Sequence, residues 1–168
     1  MSKGALTDLK EFVTFASEQA EKIFRKTGEV LPLYHAIDAE GEHLILSAPP
    51  GDPDISVAMT KAWLALNNID RVCFMNEGWI LYRVDGPEIT PGEMDRIRRE
   101  GLRNHPDRRE VVLFNAENKA GEMQSAHRFI MRPEHGKASL SPLVINDMSR
   151  LGPGEGRMIG LLNWEKRK

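Results

Sequence analysis

From Arg109 onward the chain is a succession of short apolar runs, REVVLFNA, QSAHRFIMR, ASLSPLVI and GRMIGLLNW, separated by turn-rich stretches such as PEHGK and NDMSRLGPGEG. None of the stretches between them reaches the dozen or so residues that a parallel crossover requires. Successive strands must therefore run mainly antiparallel. This favours an α+β architecture with a mainly antiparallel sheet.

The chain before Arg109 supplies the helices. Leu9, Phe12, Val13, Ala16, Ala20, Ile23 and Phe24 recur at helical spacing after a Thr7 cap, and Gly28 stands where such a helix ends. EVLPLYHAI and EHLIL read as a hairpin around the turn DAEG, with Pro32 assigning the first strand to an edge or a bulge. After APPGDPD, where Asp52 or Asp54 caps and Pro53 suits a first turn, Ile55, Met59, Ala62 and Leu66 line one side of a second helix. RVCFMNEGWILYRV is read as one long strand with a bulge at Gly78, in preference to a hairpin turning at Asn76 to Gly78. Thr90 to Glu93 forms a capping-box pattern that starts a short Arg-rich helix ending before His105 and Pro106. The fold class that follows is α+β: one domain over residues 1–168, with a mainly antiparallel sheet of six to seven strands, two main helices and one short Arg-rich helix. The two helix-containing connections leave room for one parallel pair.

Composition limits the function classes. Cys73 is the only cysteine, so neither an intramolecular disulfide nor a cysteine-rich zinc site can form, and the expected compartment is the cytosol. MSKGALTDLKEF carries charges where a signal peptide needs an apolar run, and no stretch approaches the roughly 20 apolar residues of a spanning helix. No membrane partner is expected. A formal net charge of −2 argues against coating of nucleic acid by bulk electrostatics, although a local basic face remains compatible with it.

HPDRREVVLFNAENK, from His105 to Lys119, contains the letters of the metal-nuclease signature PD-(D/E)xK. In that signature the two acids bind one divalent cation, with oxygen ligands roughly 2.0 to 2.6 Å from the metal. Here Asp107 and Glu117 stand at opposite ends of VVLFNA, an apolar run with no Gly or Pro. If that run is a strand, ten residues separate the acids by roughly 30 Å. The letters are better explained as the turns that start and stop a strand.

RIRREGLRNHPDRR packs Arg96, Arg98, Arg99, Arg103, Arg108 and Arg109 into one segment. Arg96, Arg99, Arg103, His105, Arg108 and Arg109 are the candidate anion-binding side, because guanidinium forks match phosphate geometry. The competing account is a solvated helix whose arginines pair with Glu93, Asp95 and Glu100 at spacings of three or four, and no aromatic residue is interleaved for base stacking. His35 and His43 flank DAEG and fall on one face as diagonal neighbours, about 7 to 8 Å apart at the backbone. They are the only metal candidates and lack a third ligand, so surface histidines are the default and no metal or cofactor is assigned. Cys73, between Val72 and Phe74, reads as core. GPGEG lacks the following Lys and Ser/Thr of a phosphate loop and reads as a turn. Trp63, Trp79 and Trp164 lie on different elements and either meet in the core or line a pocket, with core packing as the default.

NEGW at Asn76 to Trp79, HPDRREVVLF at His105 to Phe114 and EGRMIGLL at Glu155 to Leu162 resemble, in order and spacing, a group of uncharacterised bacterial proteins of similar length. That group carries a Glu-small-Trp strand, a His-Pro-Asp-Arg turn and a Gly-Arg strand near the C-terminus. The resemblance spans roughly the last two thirds of the chain and implies a bacterial protein, with no activity or site residue attached. Two function classes follow. One is a non-catalytic bacterial cytosolic module that binds a protein partner, itself or a small ligand through the sheet or the arginine segment, with exposed strand edges near the C-terminus making a dimer easy to form. The other is a small enzyme or binder that takes a phosphate-bearing or nucleic-acid ligand on Arg96 to Arg109. The first is preferred, because no carboxylate pair, Ser/His or Cys/His signature or metal spacing survives scrutiny.

Overall fold

The computed structural model describes residues 6–82, 88–150 and 161–162. Helix α1 (Leu9–Thr27) starts one residue later than Thr7 would place it. Its cap is Asp8, whose carboxylate accepts the amides of Lys10 at 2.6 Å and Glu11 at 3.2 Å, satisfying donors that a helix start leaves free. Gly28 ends the helix with φ 81°, and its N–H donates to Phe24 O at 2.7 Å.

Strands β1 (Leu33–Asp38) and β2 (His43–Ser47) form the hairpin read from the sequence. Pro32 does not put β1 at an edge. It lies just outside the strand, where its missing N–H matters least, and its carbonyl accepts Ala48 N at 3.0 Å. β1 is instead sandwiched between β2 and β3 (Ile69–Leu81), with the open edge at β2. β3 is the single long strand that was preferred. Its register against β4 (Arg108–Asn118) runs unbroken through Asn76, Glu77 and Gly78, so no bulge forms at Gly78. The irregularity falls between Ile37 and Asp38, where β1 pairs with β3.

β5 (Met123–Met131) follows β4 across a short turn. ASLSPLVI, expected as one strand, is two short pieces, β6 (Ser139–Leu140) and β7 (Val144–Ile145), and both pair with β5. The break is at Ser141–Pro142. Proline offers no ladder donor, and Ser141 substitutes by accepting Phe129 N on its hydroxyl at 2.8 Å while donating its own N–H to Phe129 O at 2.9 Å. The outer edge of β5 is thus covered, and the described sheet ends at β2 on one side and at β6 and β7, near the C-terminus, on the other. GRMIGLLNW, GPGEG and Trp164 lie outside the described residues except for Leu161 and Leu162.

Among the described residues the sheet has seven strands in the order β2-β1-β3-β4-β5-β6, with β7 also on β5. Every described pair is antiparallel, so the room for a parallel pair goes unused. With three α-helices among the described residues, α1, α2 (Pro53–Leu66) and α3 (Pro91–Glu100), the fold is α+β. Among the described residues no helix is long and apolar enough to cross a membrane.

Strand alternation splits the core into two halves. On one face α1 sets Phe12, Val13, Ala16, Ala20 and Phe24 against Cys73, Met75, Val112, Phe114, Ala116 and Ala126. Each large side chain buried there contributes about 1.5 to 3 kcal/mol. Arg128 pins the helix to β5 through Glu21 at 2.8 Å, and the guanidinium holds that carboxyl below the usual range. On the other face Leu64 of α2 packs with Tyr34, Ala36, Val72, Phe74 and Leu161.

Candidate interaction surface

α2 begins at Asp52, whose carboxylate accepts the amides of Asp54 at 2.9 Å and Ile55 at 3.1 Å, with Pro53 in the first turn. Thr60 and Leu64 are its fully buried residues. Thr60 is sealed by donating its hydroxyl to Ser56 O at 3.0 Å, which lets a polar residue face the sheet. The sequence left the facing of this helix open, and Thr60 and Leu64 settle it by turning their side to the sheet. Ile55, Met59, Ala62 and Leu66 do line one side, but that side faces solvent: Ile55 is 62% exposed, Met59 56% and Leu66 86%.

At about 3.6 residues per turn, Ala58 and Ala65 join these four in an arc of roughly 120°. All six are exposed and the arc holds no charge. The helix has only two charged residues, Asp54 and Lys61, and both fall on one flank. A surface helix of a self-contained domain ordinarily shows its polar face to water. Beside the first turn of α2 opens an apolar cleft of about 570 Å³, lined among others by Ile23, Leu31, Pro32, Pro49 and Pro53, with Leu31 itself largely exposed.

The arginine segment is built differently. Thr90 caps α3 by accepting Glu93 N at 3.2 Å, and no described residue of that helix is buried. Arg96 pairs with Glu100 at 3.1 Å and Arg98 with Asp95 at 3.6 Å, the helical pairings anticipated from spacing. His105 is held by both ring nitrogens: Nε2 meets Glu93 Oε1 at 3.1 Å, and Nδ1 accepts Asp107 N at 3.1 Å. It clamps the loop to the helix start and keeps no free nitrogen for a ligand. The cleft between them, about 470 Å³, is walled by Glu93, Glu100 and Asp107 as well as Arg96 and His105, so an entering anion meets three carboxylates.

Arg99 and Arg103 are exposed, with no ion-pair partner among the described residues. Arg108 and Arg109 diverge, since neighbours on a strand point to opposite faces. Arg108 stacks over Trp79 at 5.3 Å, and Arg109 over Phe129 at 5.0 Å. Of the six candidates, the structure brings together only Arg96 and His105. The nuclease letters resolve in the same plain way: β4 runs continuously from Arg108 to Asn118, with Asp107 before it and Glu117 near its far end.

His35 and His43 do share a face, and the hairpin register makes them diagonal neighbours, with Nε2 of one 2.9 Å from Nδ1 of the other. They are not both surface residues. His35 is 2% exposed and walled by Phe12 and Phe15, because β1 is an inner strand. Burial, reinforced by the His43 charge, lowers its pKa to about 4. Among the described residues no group of three or more His, Cys, Asp or Glu converges to hold a metal ion. Cys73 is core, with its thiol pushed well up by burial. Trp63 packs at the margin of the α2 core, whereas Trp79 is substantially exposed beneath Arg108 and is not a core residue.

The sequence reading left open which side of α2 faces out. The available signal was that the helix has no charged face at all, so one apolar side had to meet solvent. Comparison with family models, with curated proteins and with solved structures finds no match to this chain.

Proposed function

We propose that the chain is a non-catalytic binding module of the bacterial cytosol, acting through the outward face of α2. The observation that carries this is the exposure of Ile55, Met59 and Leu66 on one uncharged arc of a well-capped helix. Contiguous apolar patches on soluble proteins are generally limited to a few hundred Å², and larger ones mark sites of interaction. The arginine segment supports an anion-binding enzyme less well, because Arg96 and Arg98 are paired, His105 is clamped, Arg108 and Arg109 are stacked apart, and the cleft is lined by carboxylates, which leaves Arg99 and Arg103 as the unpaired guanidiniums among the described residues.

The test is uptake of an apolar fluorescent dye, 8-anilinonaphthalene-1-sulfonate, at submicromolar protein concentration. The intact chain raises dye emission, and Met59→Lys or Leu66→Lys lowers it with an unchanged circular dichroism spectrum. Equal emission from chain and variants contradicts the reading.

A further inference from the structure

The spacing of the exposed stripe has a symmetry of its own. Ile55, Met59, Ala62 and Leu66 are separated by four, three and four residues, so the pattern reads the same from either end of α2. A two-fold axis crossing the helix between Thr60 and Lys61 exchanges position 55 with 66 and position 59 with 62. Two such helices laid antiparallel set Ile55 against the partner's Leu66, and Met59 against the partner's Ala62. The pairing at the centre is large against small, which is how facing helices interdigitate. The alanines at 58 and 65 add width without bulk, and antiparallel helices also oppose their dipoles favourably.

We infer that the partner of this face is a second copy of the chain, bound through an isologous, antiparallel α2–α2 contact. This rests on the proposal that the α2 face is a binding surface. A closed two-fold contact requires one patch to complement itself, and the four-three-four spacing satisfies that requirement. The area is sufficient as well. At these exposures the three large side chains and three alanines present roughly 500 Å² per copy, or about 1,000 Å² for two, the lower bound for a biological interface. A contact of that size stands at the weak, reversible end of biological interfaces, so the dimer is expected to depend on concentration. Charge does not drive it: Asp54 and Lys61 sit off the stripe, and Lys61 flanks the axis next to its own copy, where the two ammonium groups repel. Added salt therefore leaves association intact or strengthens it.

The experiment is sedimentation velocity of the full chain from about 1 to 100 μM, beside Met59→Lys, the control Met131→Lys and the pair Ile55→Glu and Leu66→Lys, singly and combined. Met131 is exposed at the end of β5, away from the stripe, so its variant must still dimerise. The inference expects a concentration-dependent dimer and loss of dimer in Met59→Lys and in each single end variant. It expects regain of dimer when the two end substitutions are combined, because the introduced charges face each other only in the antiparallel register. A dimer that survives Met59→Lys, fails to return in the combined variant, or weakens as salt is raised overturns the inference. A monomer at 100 μM that still loses dye emission on Met59→Lys overturns the second copy as partner and leaves the binding reading standing. A monomer whose dye emission ignores the stripe variants overturns both.

Discussion

His35 shows how one residue carries a consequence of its strand's position. On an outer strand it would be solvated, but on β1, between two neighbours and beneath α1, its ring lies edge-on to Phe12, with ring centroids 5.3 Å apart. Its Nδ1 is buried without a partner. The folded chain therefore resists a proton that the unfolded chain takes near pH 6.5, and it accepts one only near pH 4. Because the unfolded state binds more protons in that window, stability is full above about pH 6.5 and falls as pH drops towards 4. Between pH 7 and pH 5 this one group is expected to remove about 2 kcal/mol, with His127, also lowered by burial, adding in the same direction. Urea unfolding at pH 7, 6 and 5 reads the slope, and His35→Leu flattens it. A variant as pH-sensitive as the parent chain would show that His35 is not the buried titrating group.

At the scale of elements, α2 separates two leucines that look equivalent in sequence. Leu64 is buried against Tyr34 and Phe74, and Leu66, two residues on, is almost fully exposed. Leu64→Ala is expected to destabilise the fold by about 2 to 5 kcal/mol, and Leu66→Lys by no more than about 0.5 kcal/mol in dilute solution. Denaturation midpoints compared at submicromolar concentration test this, and similar losses at both positions would contradict the assigned orientation. The same helix shows what could be read beforehand. The apolar period of α1 was decisive because Glu11, Glu18 and Lys22 mark its wet side. α2 has no such markers, so its period fixed a helix but not its facing, and Thr60 facing the sheet inverted the simple rule that polar residues look outward. β3 was legible as one strand from its length, whereas Pro142 splitting β6 from β7 depended on a serine hydroxyl replacing a ladder bond. The arginine segment was legible as charge. Its disposition was not, because stacking of Arg108 on Trp79 and of Arg109 on Phe129 depends on the register of three strands.

For the whole molecule, the short connections that dictated antiparallel pairing also dictate where surface is left over. α1 covers one face over the later strands, and α2 covers the other over β1 and β3, so each helix meets the sheet on one side only. For α1 the remaining side is charged and solvated. For α2 it is apolar, and the central claim is that this side is an interface. The most direct measurement is the rate of peroxide oxidation at Met59, read by mass spectrometry, with Met75 as the buried control at 1% exposure. The account predicts that Met59 oxidises at close to the rate of a free methionine in dilute solution and slows as protein concentration rises, while Met75 stays protected throughout. A Met59 as slow as Met75 at every concentration would mean that the stripe packs inward, and the interface would not exist.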